Sequence, residues 1–216
     1  MTGNSPASWP GGGVWPAGLP PGYPVKLAVE WCLAWLALLL LWPLLLAIAI
    51  LVARDSPGPV FFAQWRLGRH GIPFMMYKFR TLRWAPGTGP RLRPDGSTEV
   101  LADDDRVTHT GRWLRGGLDE LPQLWNVLRG EMTVIGPRPD EPFQAVFYAL
   151  EERRKLAVPP GITGLPQVSG RADIPWKERI RMDLEYLDSY SWRADWSILW
   201  RTFATILDST TSGRSA

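Results

Sequence analysis

The chain has 216 residues, enough to bury one moderate core, so a single catalytic-sized domain with appendages is the natural expectation. Its net charge of +3 suits an anionic ligand or an anionic membrane surface, and the absence of an Arg-clustered helix, zinc-ligand spacing or aromatic RNA-binding signature argues against a nucleic-acid partner. A single cysteine, Cys32, excludes an intrachain disulfide framework, and His70 and His109 form no metal cluster with it.

In chain order, residues 1–25 are rich in Gly and Pro and carry no charge, which predicts a disordered arm. From Trp31 to Ala53 there is again no charged residue, and the run exceeds the ~18 apolar residues of a membrane-helix candidate. Pro43 sits in its middle, where a straight spanning helix tolerates proline least. A re-entrant or kinked helix over 26–53 is the reading Pro43 favours, with a spanning helix and a cleaved signal as alternatives. The basic flank after Arg54, with Arg66 and Arg69, argues that the next domain is cytoplasmic. The thirteen tryptophans fit a membrane interface, where one end of a side chain is apolar and the other wet.

Two β-prone runs, 59–64 and 74–79, flank a Gly68-Arg69-His70-Gly71 turn and predict a small hairpin. Residues 85–106 read as a loop, with the acids at 103–105 solvated or capping the next helix. His70 and His109 read as structural or surface residues. Leu121, Leu124, Trp125 and Leu128 predict an amphipathic helix that starts at the paired acids Asp119 and Glu120, accepts Pro122 in its first turn and stops at Gly130. Such an N-terminus favours anions, so these acids either cap the helix or serve chemistry on a phosphate or metal-phosphate pair.

Residues 132–135 predict a short buried strand leading to Gly136-Pro137-Arg138-Pro139, where two prolines brace one Arg for bidentate phosphate binding or for a structural salt bridge. Residues 141–156 read as an amphipathic helix with Phe143, Val146, Phe147 and Leu150 on its packed face and a solvated end from Glu151 to Lys155. The Gly/Pro loops at 159–165 and 168–171 either let backbone approach a ligand or merely connect. Helices follow over 176–187 and 192–207, the second with a Trp-rich stripe suited to core or membrane interface.

Together these segments resemble the bacterial sugar transferase family, the monotopic phosphoglycosyl transferases that load polyprenyl phosphate with a sugar phosphate. The resemblance covers roughly Lys26 to Leu207. It rests on the apolar segment with Pro43, Gly58-Pro59-Val60-Phe61-Phe62 with Gln64, Arg66 and Gly68, Lys78-Phe79-Arg80-Thr81, Asp105-Arg106-Val107-Thr108 with Gly111-Arg112, Leu118 to Leu124 with Asn126-Val127-Leu128, Gly136-Pro137-Arg138-Pro139, and Pro160-Gly161-Ile162-Thr163-Gly164 with Gln167-Val168 and Gly170-Arg171. Against the family's usual pattern, position 30 is Glu rather than Asp, Trp42 precedes the proline, and the Gly116-Gly117-Leu118 link is one residue short.

The resemblance implies an α+β, mainly helical monotopic domain with a Pro-broken re-entrant helix over 26–53, a catalytic domain over 54–207 with a small hairpin and interfacial amphipathic helices, and a flexible tail over 208–216. It implies Asp119 as a nucleophile toward the β-phosphorus of a UDP-sugar, Glu120 as the Mg²⁺ ligand, and Arg138 as a phosphate binder helped by Lys78, Arg80, Arg115 and Arg171. Polyprenyl phosphate would be the acceptor and the cytoplasmic face of a bacterial inner membrane the location. A non-catalytic membrane anchor of the same fold, binding lipid phosphate without turnover, is the alternative from another class.

Overall fold

A computed structural model describes residues 18–83, 104–170 and 174–212, with side chains to residue 207. The expected arm up to residue 17, most of the 85–106 loop and Arg171 lie outside the described residues. The described residues are mainly helical with two small two-stranded sheets.

Helix α1 runs from Tyr23 to Asp55, 33 residues with Pro43 inside it, and is the one described helix long and apolar enough to cross a membrane. The break expected at Pro43 does not interrupt it. The proline falls between two docking surfaces, so packing on both sides offsets its lost ladder bond. Ala34, Ala37 and Leu38 pack with Phe74, Met76, Leu124 and Val127, whereas Leu45, Ile48, Ala49 and Val52 pack with Phe79 and Leu114.

Strands β1 (Phe61–Leu67) and β2 (Pro73–Phe79) form the predicted antiparallel hairpin, pairing Gln64 with Met76 and Phe62 with Lys78. His70 holds a positive φ of 58° in the connection, a structural role in keeping with the reading made for it. Helix α2 (His109–Leu114) is capped by the Thr108 hydroxyl, which accepts from the Gly111 amide at 2.9 Å. Asp104 instead accepts from Arg106, so it does not cap this helix.

The paired acids occupy a 3-10 turn, Leu118–Glu120, and helix α3 (Gln123–Leu128) starts only after Pro122. The predicted single helix is therefore split. Pro122 has no amide to give to the carbonyl four residues back, so the chain turns tightly and restarts. Gly130 ends α3 at a φ of 72°, as expected. Leu121, Leu124 and Leu128 face the core, but Trp125 is exposed.

Strand β3 (Thr133–Ile135) is the predicted buried strand, and it pairs in parallel with β4 (Gly161–Thr163). That pairing accounts for the small residues of the second loop system. A Cβ at Gly161 would lie 2.2 Å from the Gly136 nitrogen, so glycine is needed there for backbone to approach backbone.

The crossover between β3 and β4 corrects the helix expected over 141–156. It is two 3-10 segments, Pro142–Phe147 and Glu151–Ala157, and Val146 and Leu150 are exposed. Lys155, expected in solvent, is 3% exposed between Asp140 and Asp183. A short helix α4 (Leu165–Ser169) precedes α5 (Trp176–Asp188) and α6 (Trp192–Ser212). The Trp-rich stripe of α6 divides between the two readings: Trp196, Trp200 and Phe203 are exposed, whereas Leu199 packs with Ile135, Tyr186 and Ile198.

Candidate active site

The hairpin, the acidic turn and the Pro-braced loop converge on one cleft, lined by Arg66, Met76, Lys78, Glu120, Gln123, Arg138, Pro139, Gly161 and Ile162. Its electrostatics follow from three cations facing one carboxylate. Lys78 pairs with Glu120, and Arg66 pairs with Glu141 at 3.2 Å. A polyanionic group such as a diphosphate fits a cleft of this charge better than a neutral ligand does.

Asn126 brings the acids and Lys78 together. Fully buried, it accepts from the Tyr77 amide at 3.2 Å and donates to the Met75 carbonyl at 2.7 Å, which docks α3 on β2 just below Lys78. Gly117 sets the entry to the acidic turn. It adopts a φ of 127°, and a Cβ there would meet Ile206 of α6 at 3.1 Å.

Asp119 lies beside the cleft rather than on its lining, next to Glu120 in the turn. Burial pushes its carboxyl up to about 6, with Lys78 pulling it down, the Glu120 charge pushing it up and Arg115 pulling it down. A carboxylate made costly by desolvation and kept charged by neighbouring cations has the character of a nucleophile or base near neutral pH.

Arg115 caps the end of α2 and acts on the acids through its charge; it does not line the cleft. Arg80 has another task than the one expected. Its side chain is 4% exposed, and it donates to the carbonyls of Pro57 at 2.6 Å, Ser56 at 2.7 Å and Val52 at 3.4 Å, closing the end of α1. The geometry of helix ending, which periodicity does not encode, claims this guanidinium. Arg80→Met should therefore destabilise the detergent-solubilised protein by about 1.5–3 kcal/mol. Donor KM should stay at the wild-type value in the same preparation; a KM rise without loss of stability would return Arg80 to the phosphates.

Arg66 and Gln123 are the polar cleft residues that reasoning from the sequence did not place in the site. Strict alternation could have found Arg66, because the hairpin register puts residues 62, 64 and 66 on the same face as 74, 76 and 78.

The loop that carries Arg138 is gripped along its length. The Gly136 amide donates to the Thr163 carbonyl at 2.9 Å, the Gly161 amide to the Pro137 carbonyl at 2.8 Å, and the Arg138 amide to Asp183 at 3.2 Å. Asp140 accepts from Lys155 at 2.7 Å, from Trp176 at 3.2 Å and from the Tyr148 hydroxyl. Burial pushes Asp183 up to about 6, against the pull of Lys155. Burial acts the same way on Asp140, but there Lys155, Tyr148 and Trp176 outweigh it and hold the carboxyl below its usual range.

Glu120 fits a hard divalent cation by its donor chemistry. Mg²⁺ is commonly held by one or two carboxylates together with water and substrate phosphate oxygens. Among the described residues no group of three or more His, Cys, Asp or Glu gathers at one point, so an ion here would share its coordination with the ligand.

Residues 22–209 match the family model described as bacterial sugar transferase. The chain is 42% identical over 160 residues to the uncharacterized sugar transferase EpsL of Bacillus subtilis, covering 73% of this chain and 75% of that protein. It is 38% identical over 197 residues to the exopolysaccharide production protein ExoY of Rhizobium meliloti, covering 87% of each. It is also 40% identical over 189 residues to a UDP-glucose:undecaprenyl-phosphate glucose-1-phosphate transferase of Xanthomonas campestris, covering 83% of this chain but 38% of that longer protein.

Proposed function

The chain belongs to the bacterial sugar transferase family, and on that premise we propose that it is a phosphoglycosyl transferase that moves a sugar 1-phosphate from a UDP-sugar to a polyprenyl phosphate such as undecaprenyl phosphate. The observation that carries this reading is the cleft and the turn at its edge: Glu120 lines it with Lys78, Arg66 and a proline-braced Arg138, and Asp119 stands next to Glu120 beside it.

The Asp119 carboxylate attacks the β-phosphorus of the donor. A carboxylate–phosphorus bond forms, the bond from that phosphorus to the bridging oxygen breaks, and UMP leaves with the electron pair. An oxygen of the polyprenyl phosphate then attacks the same phosphorus, displacing the carboxylate and giving a polyprenyl diphosphate sugar. Dividing the transfer in this way replaces one difficult step by two easier ones. Arg138, Arg66 and Lys78 hold the phosphate oxygens and stabilise charge as it develops. Glu120, with Asp119 adjacent, would hold Mg²⁺, which neutralises the diphosphate when bound.

We read α1 as lying in one leaflet of the bilayer. This is supported by its two ends being held on the same domain: Lys26 bonds Asp195 at 3.0 Å near the start, and Arg80 takes carbonyls at the finish. Its 33 residues extend about 50 Å. A helix crossing a hydrocarbon core of ~30 Å would carry one end away from the domain. The exposed Leu40 and Trp42 of α1 and the exposed Trp196 and Trp200 of α6 offer apolar surface to lipid. With the basic flank after Arg54, this supports a cleft at headgroup level on the cytoplasmic face.

The test supplies purified protein with polyprenyl phosphate, Mg²⁺ and a panel of UDP-sugars, and follows UMP. One donor should give UMP in step with lipid product, and release by none would leave the non-catalytic anchor. With the accepted donor, kcat/KM should be level above neutrality and fall toward tenfold per pH unit below about 6, because Asp119 reacts only when ionised. A profile that stays flat to about pH 5 would mean that Asp119 is not pushed up to about 6, and one still flat below the ordinary aspartate range would remove Asp119 from the role.

A further inference from the structure

We propose that Asp183, acting with Lys155, is a positioning residue for Arg138: it fixes the backbone from which that guanidinium reaches the donor's phosphates. The inference rests on the phosphate-binding role proposed above for Arg138.

Asp183 comes from α5 and Lys155 from the 3-10 segment Glu151–Ala157, so neither is near the loop in sequence. Both are almost wholly enclosed, 1% and 3% exposed, as is Asp140 at 6%. One ammonium bridges two carboxylates, at 2.7 Å to Asp140 and 2.9 Å to Asp183. Each acid holds the loop in its own way. Asp183 Oδ1 takes the Arg138 amide, and Asp140 belongs to the loop itself, its own carbonyl accepting from the Leu67 amide at 2.8 Å.

The chain is thus gripped on both sides of Pro139, and the two residues between the grips, Arg138 and Pro139, line the cleft. Leu67 follows Arg66, so the same anchorage ties the second guanidinium of the cleft to the first. Burying three charges carries a large desolvation cost that a hydrophobic filling would avoid. Apolar packing cannot direct a carboxylate oxygen at one amide, which is what this cluster does. Support of this kind removes freedom from a phosphate-binding arginine before substrate arrives.

The experiment measures UDP binding by calorimetry, in Mg²⁺, to the detergent-solubilised full chain in a double-mutant cycle. Asp183→Ala, which removes the acceptor of the Arg138 amide and leaves Lys155 paired with Asp140, should weaken UDP binding about tenfold, because Arg138 is displaced but still present. Arg138→Ala should weaken it more. In the Arg138→Ala background Asp183→Ala should then add nothing, since the group it positions is gone.

An Asp183→Ala protein that is less stable yet binds UDP normally would make the cluster structural only and overturn the proposal. So would a tenfold loss that persists without Arg138; in that case the phosphate role of Arg138 still stands. UDP binding unchanged by Arg138→Ala would instead sink the reading on which the inference rests. If Asp183→Ala leaves no folded protein, Asp183→Ser, whose hydroxyl is too short to reach the Arg138 amide and which also leaves Lys155 paired with Asp140, takes its place in the same cycle with the same expected loss.

Discussion

Asp119→Asn should abolish transfer, lowering UMP release by at least about 10⁴-fold, the scale seen when a covalent nucleophile is removed. The substitution keeps the shape of the side chain and removes its negative oxygen, so the turn that carries it should persist. That turn is held by backbone bonds, the Glu120 amide to Gly117 at 3.2 Å and the Leu121 amide to Leu118 at 3.3 Å, and none of these involves the carboxylate. Folding and UDP binding should therefore survive while chemistry fails. Glu120→Gln should differ in kind: it breaks the pair with Lys78 and removes the proposed metal ligand, so its deficit should shrink as Mg²⁺ is raised. Intact-protein mass spectrometry separates a covalent role from a purely electrostatic one. Wild type mixed with its donor, acceptor withheld, should gain the mass of the sugar phosphate, and Asp119→Asn should gain none. Transfer by Asp119→Asn at near wild-type rate, or product from a wild type that never forms the adduct, would end the two-step route.

The parts of the fold written in local chemistry are legible before any coordinates. Two β-prone runs around a glycine-bounded turn give the hairpin, and unbroken 3.6-residue patterns give α5 and α6. What local pattern cannot carry is partnership across the chain. Lys155 has the look of a solvated helix end until Asp140 and Asp183, 15 residues upstream and 28 residues downstream, draw it inside. Arg80 sits in a basic motif beside Lys78, yet the end of α1 takes it because unpaired helix carbonyls need a donor. β4 is three residues beginning with glycine, and only its partner β3 makes it a strand. At 142–150 the spacing of Phe143, Val146, Phe147 and Leu150 fits a helix, but Pro142 and a 3-10 backbone turn Val146 and Leu150 outward. For the site, Lys78, Glu120 and Arg138 are brought to one cleft, Arg66 and Gln123 join them, and Asp119 stands next to it.

Lys26→Met should cost about 3–5 kcal/mol, the largest stability loss expected from a single side chain here, because it leaves two buried acids without their shared cation. Lys26 is fully buried; it pairs with Glu30 one turn along α1 and with Asp195 of α6. Glu30 also takes the Thr133 hydroxyl and the amides of Val134 at 2.9 Å and Ile135 at 3.2 Å. The Tyr186 hydroxyl donates to Asp195 at 2.7 Å. The cluster therefore joins α1, α6 and the strand that feeds the Arg138 loop. Glu30→Gln should cost less than Lys26→Met, since an amide oxygen still accepts from the strand and Lys26 keeps Asp195. The glutamate in place of the family's usual aspartate matters geometrically, as one extra methylene lets a helix residue reach past Thr133 to two successive amides of β3. Hydrogen exchange reads this directly. Val134 and Ile135 should lose protection in Lys26→Met and in a Glu30→Leu protein, while amides of the β1–β2 hairpin should keep theirs. Were Lys26→Met to unfold within about 1 kcal/mol of wild type, with β3 still protected, α1 would have to be held by the apolar contacts around Ala34 and Ile48 alone, and the buried ion cluster would lose its part in seating the helix on the domain.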